Sequence, residues 1–400
     1  MGDVSDLRAA FDQGTLLPPT SDALNLVDLA RAIAGWAGAD GLPHTPWAAK
    51  AAEMIGACRH LVVVLADGLG MNILNGLPEN AFLRQRLAAS MRTVFPSATA
   101  VALTSLATAR WPGQHGVVGW WTHLPEIGGA ATILQYTSRS DRRSLSDLKV
   151  STEQAFPARS TFAGFQRDTL ALFPERIAES PYTCYFTGGR RIIGYRSLSE
   201  AVNIAVERVR CAEAPTFTYL YTSRIDETAH TYGLTRPELS AALTDLDREM
   251  ERLADGLAGK ARLLLTADHG FLDSGEGCRH EIRFYDPLLG LLWHPPSGDA
   301  RVLYLHCKPG ARGRIRDYFY RRFGNRFLVI TTEEAEELRL FGPDPLSESA
   351  RGRVGDMVAI SSGADAIEYR GAGGNGRVMQ EASQHSGLSP QEMVIPLVAA

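Results

Sequence analysis

His60-Leu-Val-Val-Val-Leu-Ala66, followed at once by Asp67-Gly68-Leu69-Gly70, decides the fold. A continuous β-branched run of this length reads as a strand buried on both faces, which is the pattern of a parallel sheet covered by helices. The acidic residue at its carboxyl end stands where open α/β sheets bind ligands. Two more apolar runs end the same way. Residues 216–222 lead into Arg224-Ile-Asp226-Glu-Thr-Ala-His230, and residues 261–267 into Asp268-His269-Gly270. In a parallel sheet these ends share one edge, so Asp67, Asp226, His230, Asp268 and His269 are expected together. Asp226 and His230 are one helical turn apart and point the same way. Asp268 and His269 are adjacent, so both reach one site only if the chain leaves the strand there, as Gly270 allows.

The stretch Phe95-Pro-Ser-Ala-Thr99 then gains meaning. It delivers a hydroxyl to the start of a small-residue helix running to Thr108, and a helix N-terminus attracts anions such as phosphate. Each feature also has an ordinary reading: a Thr at a helix start is often an N-cap, and an Asp at a strand end is often a turn residue. Mixed carboxylate and imidazole ligands suit zinc, with manganese or iron as alternatives.

Along the chain, residues 1–20 read as a loose lead-in and 22–37 as a helix. Residues 41–46 read as a loop, 198–211 and 236–257 as helices. Residues 120–195 read as an irregular, substrate-facing insertion with strand-like pieces at 160–163 and 183–186. A second insertion is expected over 273–350, with strands at 302–306 and 326–331 and a helix at 311–323. Residues 354–361 look strand-like and Gly371 to Gly376 form a Gly-rich turn. Ser389-Pro390-Gln391-Glu392 is a capping box with Pro at the first helical position.

Composition narrows the function. The 400 residues are 45% apolar and 22% charged, with net charge −4 and no basic block, so a nucleic-acid polymer is not an expected partner. Five scattered cysteines without CxxC point to reduced thiols, and no apolar leader or membrane-length run appears. A cytoplasmic protein without membrane contact is expected. GxGxxG fails at Ile73, and GxxxxGK[ST], GxSxG and HExxH are absent.

With these residues in view, the chain resembles the nucleotide pyrophosphatase/phosphodiesterase branch of the alkaline phosphatase superfamily, in particular its short bacterial members. Motifs that carry the resemblance occur in the family's order: Val64-Leu-Ala-Asp67-Gly68, Phe95-Pro-Ser-Ala-Thr99, Asp226-Glu-Thr-Ala-His230-Thr-Tyr-Gly233, Thr266-Ala-Asp268-His269-Gly270 and His385-Ser-Gly387. The resemblance implies a single α/β domain over 1–400, a mostly parallel sheet with helices on both faces and the two insertions on the substrate side. It implies two divalent metals. Asp226, His230 and His385 would hold one; Asp67, Asp268, His269 and the Thr99 oxygen would hold the other. It makes Thr99 the nucleophile, with Ser97, Thr104 and Ser105 as competing hydroxyls.

The implied activity is hydrolysis of a phosphodiester or pyrophosphate in a small phosphorylated molecule, through a phosphothreonine. A phosphomonoesterase acting on a nucleotide or sugar phosphate is the alternative, then a phosphotransferase or mutase. A monoester needs an extra cation, for which Arg139, Arg142, Arg143 and Arg224 are candidates. Trp120, Trp121, His123 and Tyr136 are candidates for stacking on a base, or core residues. Position 102 is alanine where nucleotide-cleaving members usually carry an asparagine that donates to a phosphate oxygen, so the resemblance implies that either another residue replaces that donor or the substrate differs. The Cys/Ser-x-Pro-x-Arg motif of the superfamily's sulfatases is absent.

Overall fold

The computed structural model describes residues 2–20, 22–371 and 381–400. Its central sheet has seven strands in the order Leu87–Arg92, Val394–Ala399, Ala261–Thr266, His60–Ala66, Thr216–Thr222, Asp168–Pro174, Arg191–Tyr195. His60–Ala66 pairs in parallel with both of its neighbours. Val394–Ala399 runs antiparallel to the strands on either side of it. Every residue of His60–Ala66 and Thr216–Thr222 is buried, as β-branched and aromatic runs in a covered sheet must be.

Helices flank this sheet. Thr99–Thr108 packs against Leu26–Trp36, and Leu198–Cys211 against Pro237–Leu257. The long Pro237–Leu257 helix buries Leu239, Leu243, Leu246, Met250, Leu253 and Leu257, one stripe at helical spacing.

A second seven-stranded sheet is antiparallel, in the order Phe327–Thr331, Met357–Ser361, Val302–Leu305, Ser297–Gly298, Trp121–Leu124, Gly129–Thr132, Thr137–Ser138. Strands from both expected insertions therefore share one sheet. The expected boundary at 195 does not hold for the first stretch. Asp168–Pro174 and Arg191–Tyr195 are strands of the central sheet, paired in parallel with each other. Leu170 to Phe173 is an apolar run too short for periodicity to separate strand from helix.

Local readings differ elsewhere for identifiable reasons. The lead-in contains a helix, Gly2–Asp12, whose Leu7 is fully buried in a cluster with Tyr304 and Ile330. Its Asp3 carboxylate accepts the Val329 N–H at 3.1 Å. A helix this short is stable only through such tertiary contacts. Residues 183–186 lie in a helix, Pro181–Phe186, with Ser180 as its cap and Pro at the first position. Residues 160–163 belong to a 3-10 turn, Thr161–Gly164, and the 41–46 loop ends where Thr45 caps the helix Pro46–Ile55. The strand expected over 354–361 begins only at Met357, after a helix ending at Val354. Beyond Gly371, the expected Gly-rich turn lies outside the described residues. Among the described residues no helix is long and apolar enough to cross a membrane.

Candidate active site

The carboxyl ends of the central strands bring the acidic residues together. Asp67 follows the His60–Ala66 strand, and its carbonyl accepts the Asp226 N–H at 3.1 Å. Asp226 and His230 lie on the helix Arg224–Tyr232, with His230 Nε2 3.4 Å from Asp226 Oδ1. The third strand ends at Thr266, so Asp268 and His269 are off the strand and free of its alternation. Asp268 Oδ1 accepts the N–H groups of Gly68 and His269 at 2.9 and 3.0 Å. Gly270 is needed here for close approach: a Cβ would stand 2.0 Å from the Gln391 carbonyl oxygen.

Thr99 is the first residue of the helix Thr99–Thr108, and the N-cap position is Ala98, which makes no side-chain cap. The Thr99 hydroxyl is not a cap. Its Oγ1 lies 3.1 Å from His269 Nε2 and 3.4 Å from Asp67 Oδ1. The competing hydroxyls are engaged elsewhere: Ser97 donates to the Gly387 carbonyl, Thr104 to the Ala100 carbonyl, and Ser105 pairs with His115.

His385 arrives from the C-terminal segment. Its ring stacks on His269 with centroids 3.7 Å apart, and its Nδ1 lies 3.0 Å from the Ser97 carbonyl oxygen. Among the described residues two groups have ligand atoms that all lie within 4.8 Å of one another: Asp226, His230 and His385; and Asp67, Asp226 and His269. Asp226 thus belongs to both groups. Asp268 is not in the second, although its Oδ2 lies 3.4 Å from His269 Nε2.

The electrostatics are those of a cation site. Burial pushes Asp67 well above the usual carboxylate range, and the neighbouring Asp268 adds to this. Burial likewise raises Asp226 and Asp268, each to about 6. It lowers His269 to about 4 and His385 well below the ordinary histidine value. At His230 burial acts downward, but Asp226 and Glu381 outweigh it and the imidazole stands above its ordinary value. Asp226 Oδ1 and Asp268 Oδ2 are buried without a hydrogen-bond partner. Clustered carboxylates and imidazoles with two orphaned carboxylate oxygens fit divalent metal ions.

Tertiary structure adds residues that the motifs did not show. The Tyr221 hydroxyl donates to Asp67 Oδ2, and its signal was only an inward-facing aromatic near a strand end. Phe271 is fully buried and sets its ring edge to face against His230, His269 and His385 at 4.9, 5.4 and 5.2 Å.

The other expected contributors have partners of their own. Tyr136 is a core residue, and His123 is buried against His294 and His306. Arg139 donates to the Pro296 and Tyr369 carbonyls and lies over the Trp121 ring, while exposed Arg143 pairs with Asp141. Ala102 lies one turn after Thr99 on the same helix and is fully buried.

A profile of the type I phosphodiesterase / nucleotide pyrophosphatase family matches residues 61–362. Among solved structures, murine ectonucleotide pyrophosphatase/phosphodiesterase 5 is similar, at 17% identity and TM-score 0.62 over 85% of this chain and 87% of that one. The same murine protein in an inactive form bound to AMP matches at 18% identity and TM-score 0.60, over 85% and 87%. Phosphonoacetate hydrolase from Sinorhizobium meliloti in complex with phosphonoformate matches at 18% identity and TM-score 0.62, over 85% and 89%. No protein of curated function matches the sequence. At these identities the structural matches speak for the fold.

Proposed function

Because the chain belongs to the type I phosphodiesterase / nucleotide pyrophosphatase family, we propose that it is a two-metal phosphoester hydrolase acting on a small phosphorylated molecule, with Thr99 as nucleophile. The observation that carries this reading is the Thr99 hydroxyl. It stands at a helix start, does not cap it, and faces His269 and Asp67 at 3.1 and 3.4 Å.

Asp226, His230 and His385 would hold one ion, and Asp67, Asp268 and His269 the other, with Asp226 placed to serve both. Zinc suits this donor set best, with manganese or iron as alternatives. When bound, such ions supply Lewis acidity that neutralises phosphoryl charge and makes an oxygen nucleophile available near neutral pH.

The chain's own residues do the rest. Thr99 Oγ1, its proton released to solvent, attacks phosphorus in line; the new P–O bond forms as the bond to the leaving oxygen breaks, and the leaving oxygen takes up a proton from solvent. The positive end of the Thr99–Thr108 helix faces the charge on the non-bridging oxygens. Water then cleaves the phosphothreonine and restores the hydroxyl. Tyr221 holds Asp67 in place from the side away from Thr99. Small phosphorus ligands in the structural relatives, AMP and phosphonoformate, support the substrate size.

The test is turnover of bis-p-nitrophenyl phosphate and p-nitrophenyl phosphate with added zinc or manganese. Thr99→Ala is expected to lose at least about a thousandfold in kcat, on the scale of a removed nucleophile. A rate unchanged in Thr99→Ala, or after chelation to full metal loss, refutes the proposal. The ratio of the two substrates separates diesterase from monoesterase.

A further inference from the structure

The turn His385-Ser386-Gly387 is gripped from behind by a buried ion pair. Arg301 directly precedes the Val302–Leu305 strand of the antiparallel sheet, and Glu392 lies in the short helix Pro390–Met393 ahead of the last central strand. Both side chains are fully buried. Arg301 Nε donates to Glu392 Oε1 at 2.6 Å and Nη2 to Oε2 at 3.1 Å, a two-point fork. The guanidinium also donates to the carbonyls of Gly363 and Asp365. Glu392 Oε1 accepts the Gly387 N–H at 2.8 Å, and Oε2 accepts from the Ser389 N–H and hydroxyl.

The turn is shaped around this pair. A Cβ on Gly387 would lie 2.8 Å from Glu392 Oε2 and 3.0 Å from Arg301 Nε. Ser386, a non-glycine residue, is held at φ +99, and its hydroxyl accepts the Arg301 N–H at 3.3 Å. The grip continues to the loop that carries Thr99. Ser97 Oγ donates to the Gly387 carbonyl at 2.8 Å, and the Ser97 carbonyl oxygen lies 3.0 Å from His385 Nδ1.

Stability alone does not account for the pair. Replacing a buried ion pair by apolar residues of similar volume is often neutral or favourable. An apolar pair, however, offers no acceptor to the Gly387 N–H and leaves the strained turn without its anchor.

We propose that Arg301 and Glu392 are positioning residues that set His385, and through Ser97 the Thr99 loop, so that the antiparallel sheet takes part in building the active site. This rests on the reading of His385 as a metal ligand. Outer partners of this kind are worth about 10–100-fold in metal affinity.

The test uses the full chain with zinc alone as probe. Zinc stoichiometry and chelator-competition affinity are measured beside thermal melting in wild type, His385→Ala, Glu392→Gln and the double variant Arg301→Met/Glu392→Leu. The double variant leaves the Gly387 N–H and the Ser389 groups without their acceptor, and is expected to fold with a lowered melting temperature. One zinc equivalent is expected to weaken about 10–100-fold, the same equivalent that His385→Ala removes, while the other keeps its wild-type affinity. Glu392→Gln keeps one acceptor for Gly387 and is expected to show a smaller shift in that equivalent. Wild-type zinc affinity in both Glu392 variants overturns the proposal, as does a loss of affinity that only follows the melting temperature. Unchanged zinc binding in His385→Ala would instead refute the assignment of His385 as a ligand.

Discussion

Asp226→Asn is expected to make the metal-free protein more stable while destroying its activity. In the folded, metal-free chain burial and the neighbouring Asp67 raise Asp226 from its ordinary 3.8 to about 6. A raised carboxylate binds more protons in the folded state than in the unfolded one between those values. Stability therefore falls as pH rises from 3.8 to about 6, and the loss is complete above it. At about 1.4 kcal/mol per tenfold, the full displacement corresponds to about 3 kcal/mol.

The Asp226 side chain is 17% exposed, and solvent screening reduces this to about 2 kcal/mol. An unfolding entropy of about 2.1 cal/mol/K per residue over 400 residues converts it to a melting increase of about 2 °C. The assay is thermal melting at pH 8 in chelator and again with zinc. In chelator the variant should melt above wild type. With zinc at about 100 times its Kd, each site adds about 2.7 kcal/mol, so wild type should overtake a variant that has lost a carboxylate common to both groups. A variant that melts below wild type in chelator, or gains as much from zinc, refutes the reasoning.

Three further perturbations probe the surroundings of the site. Tyr221→Phe removes the donor to Asp67 Oδ2, and zinc affinity by chelator competition is expected to fall about tenfold; no change would show that Asp67 keeps its orientation unaided. Gly270→Ala sets a methyl 2.0 Å from the Gln391 carbonyl oxygen, and denaturant unfolding is expected to show a loss of about 3 kcal/mol or failure to fold. Leu7→Ala empties a fully buried position under the antiparallel sheet, with an expected cost of about 2–5 kcal/mol; a loss below about 0.5 kcal/mol would mean that the N-terminal helix is not part of the cooperative fold.

Much of the candidate site was legible because its residues sit in short local motifs. Asp67 ends a strand whose burial follows from its own composition, and the Asp226/His230 spacing is a property of any helix. The pairing of Asp226 with both groups was not legible, since it depends on the bond from its N–H to the Asp67 carbonyl across two strands. Glu392 was legible as a cap and nothing more. That its carboxylate also carries Arg301 and Gly387 follows only from where the antiparallel sheet ends.

The sequence by itself determined that strands form at 60–66, 216–222 and 261–267, the last one residue longer than the folded strand, and which polar residues stand at their ends. Local composition and turn residues suffice for that. Tertiary structure alone decided the strand order, the merging of two distant stretches into one antiparallel sheet, and the place of residues 168–195 beside the central strands. Those depend on backbone pairing between segments far apart in the chain, for which a single strand carries no label. The same holds for Thr99. Its position at a helix start was written in the chain, but whether its hydroxyl would cap the helix or face His269 was settled by what folded around it.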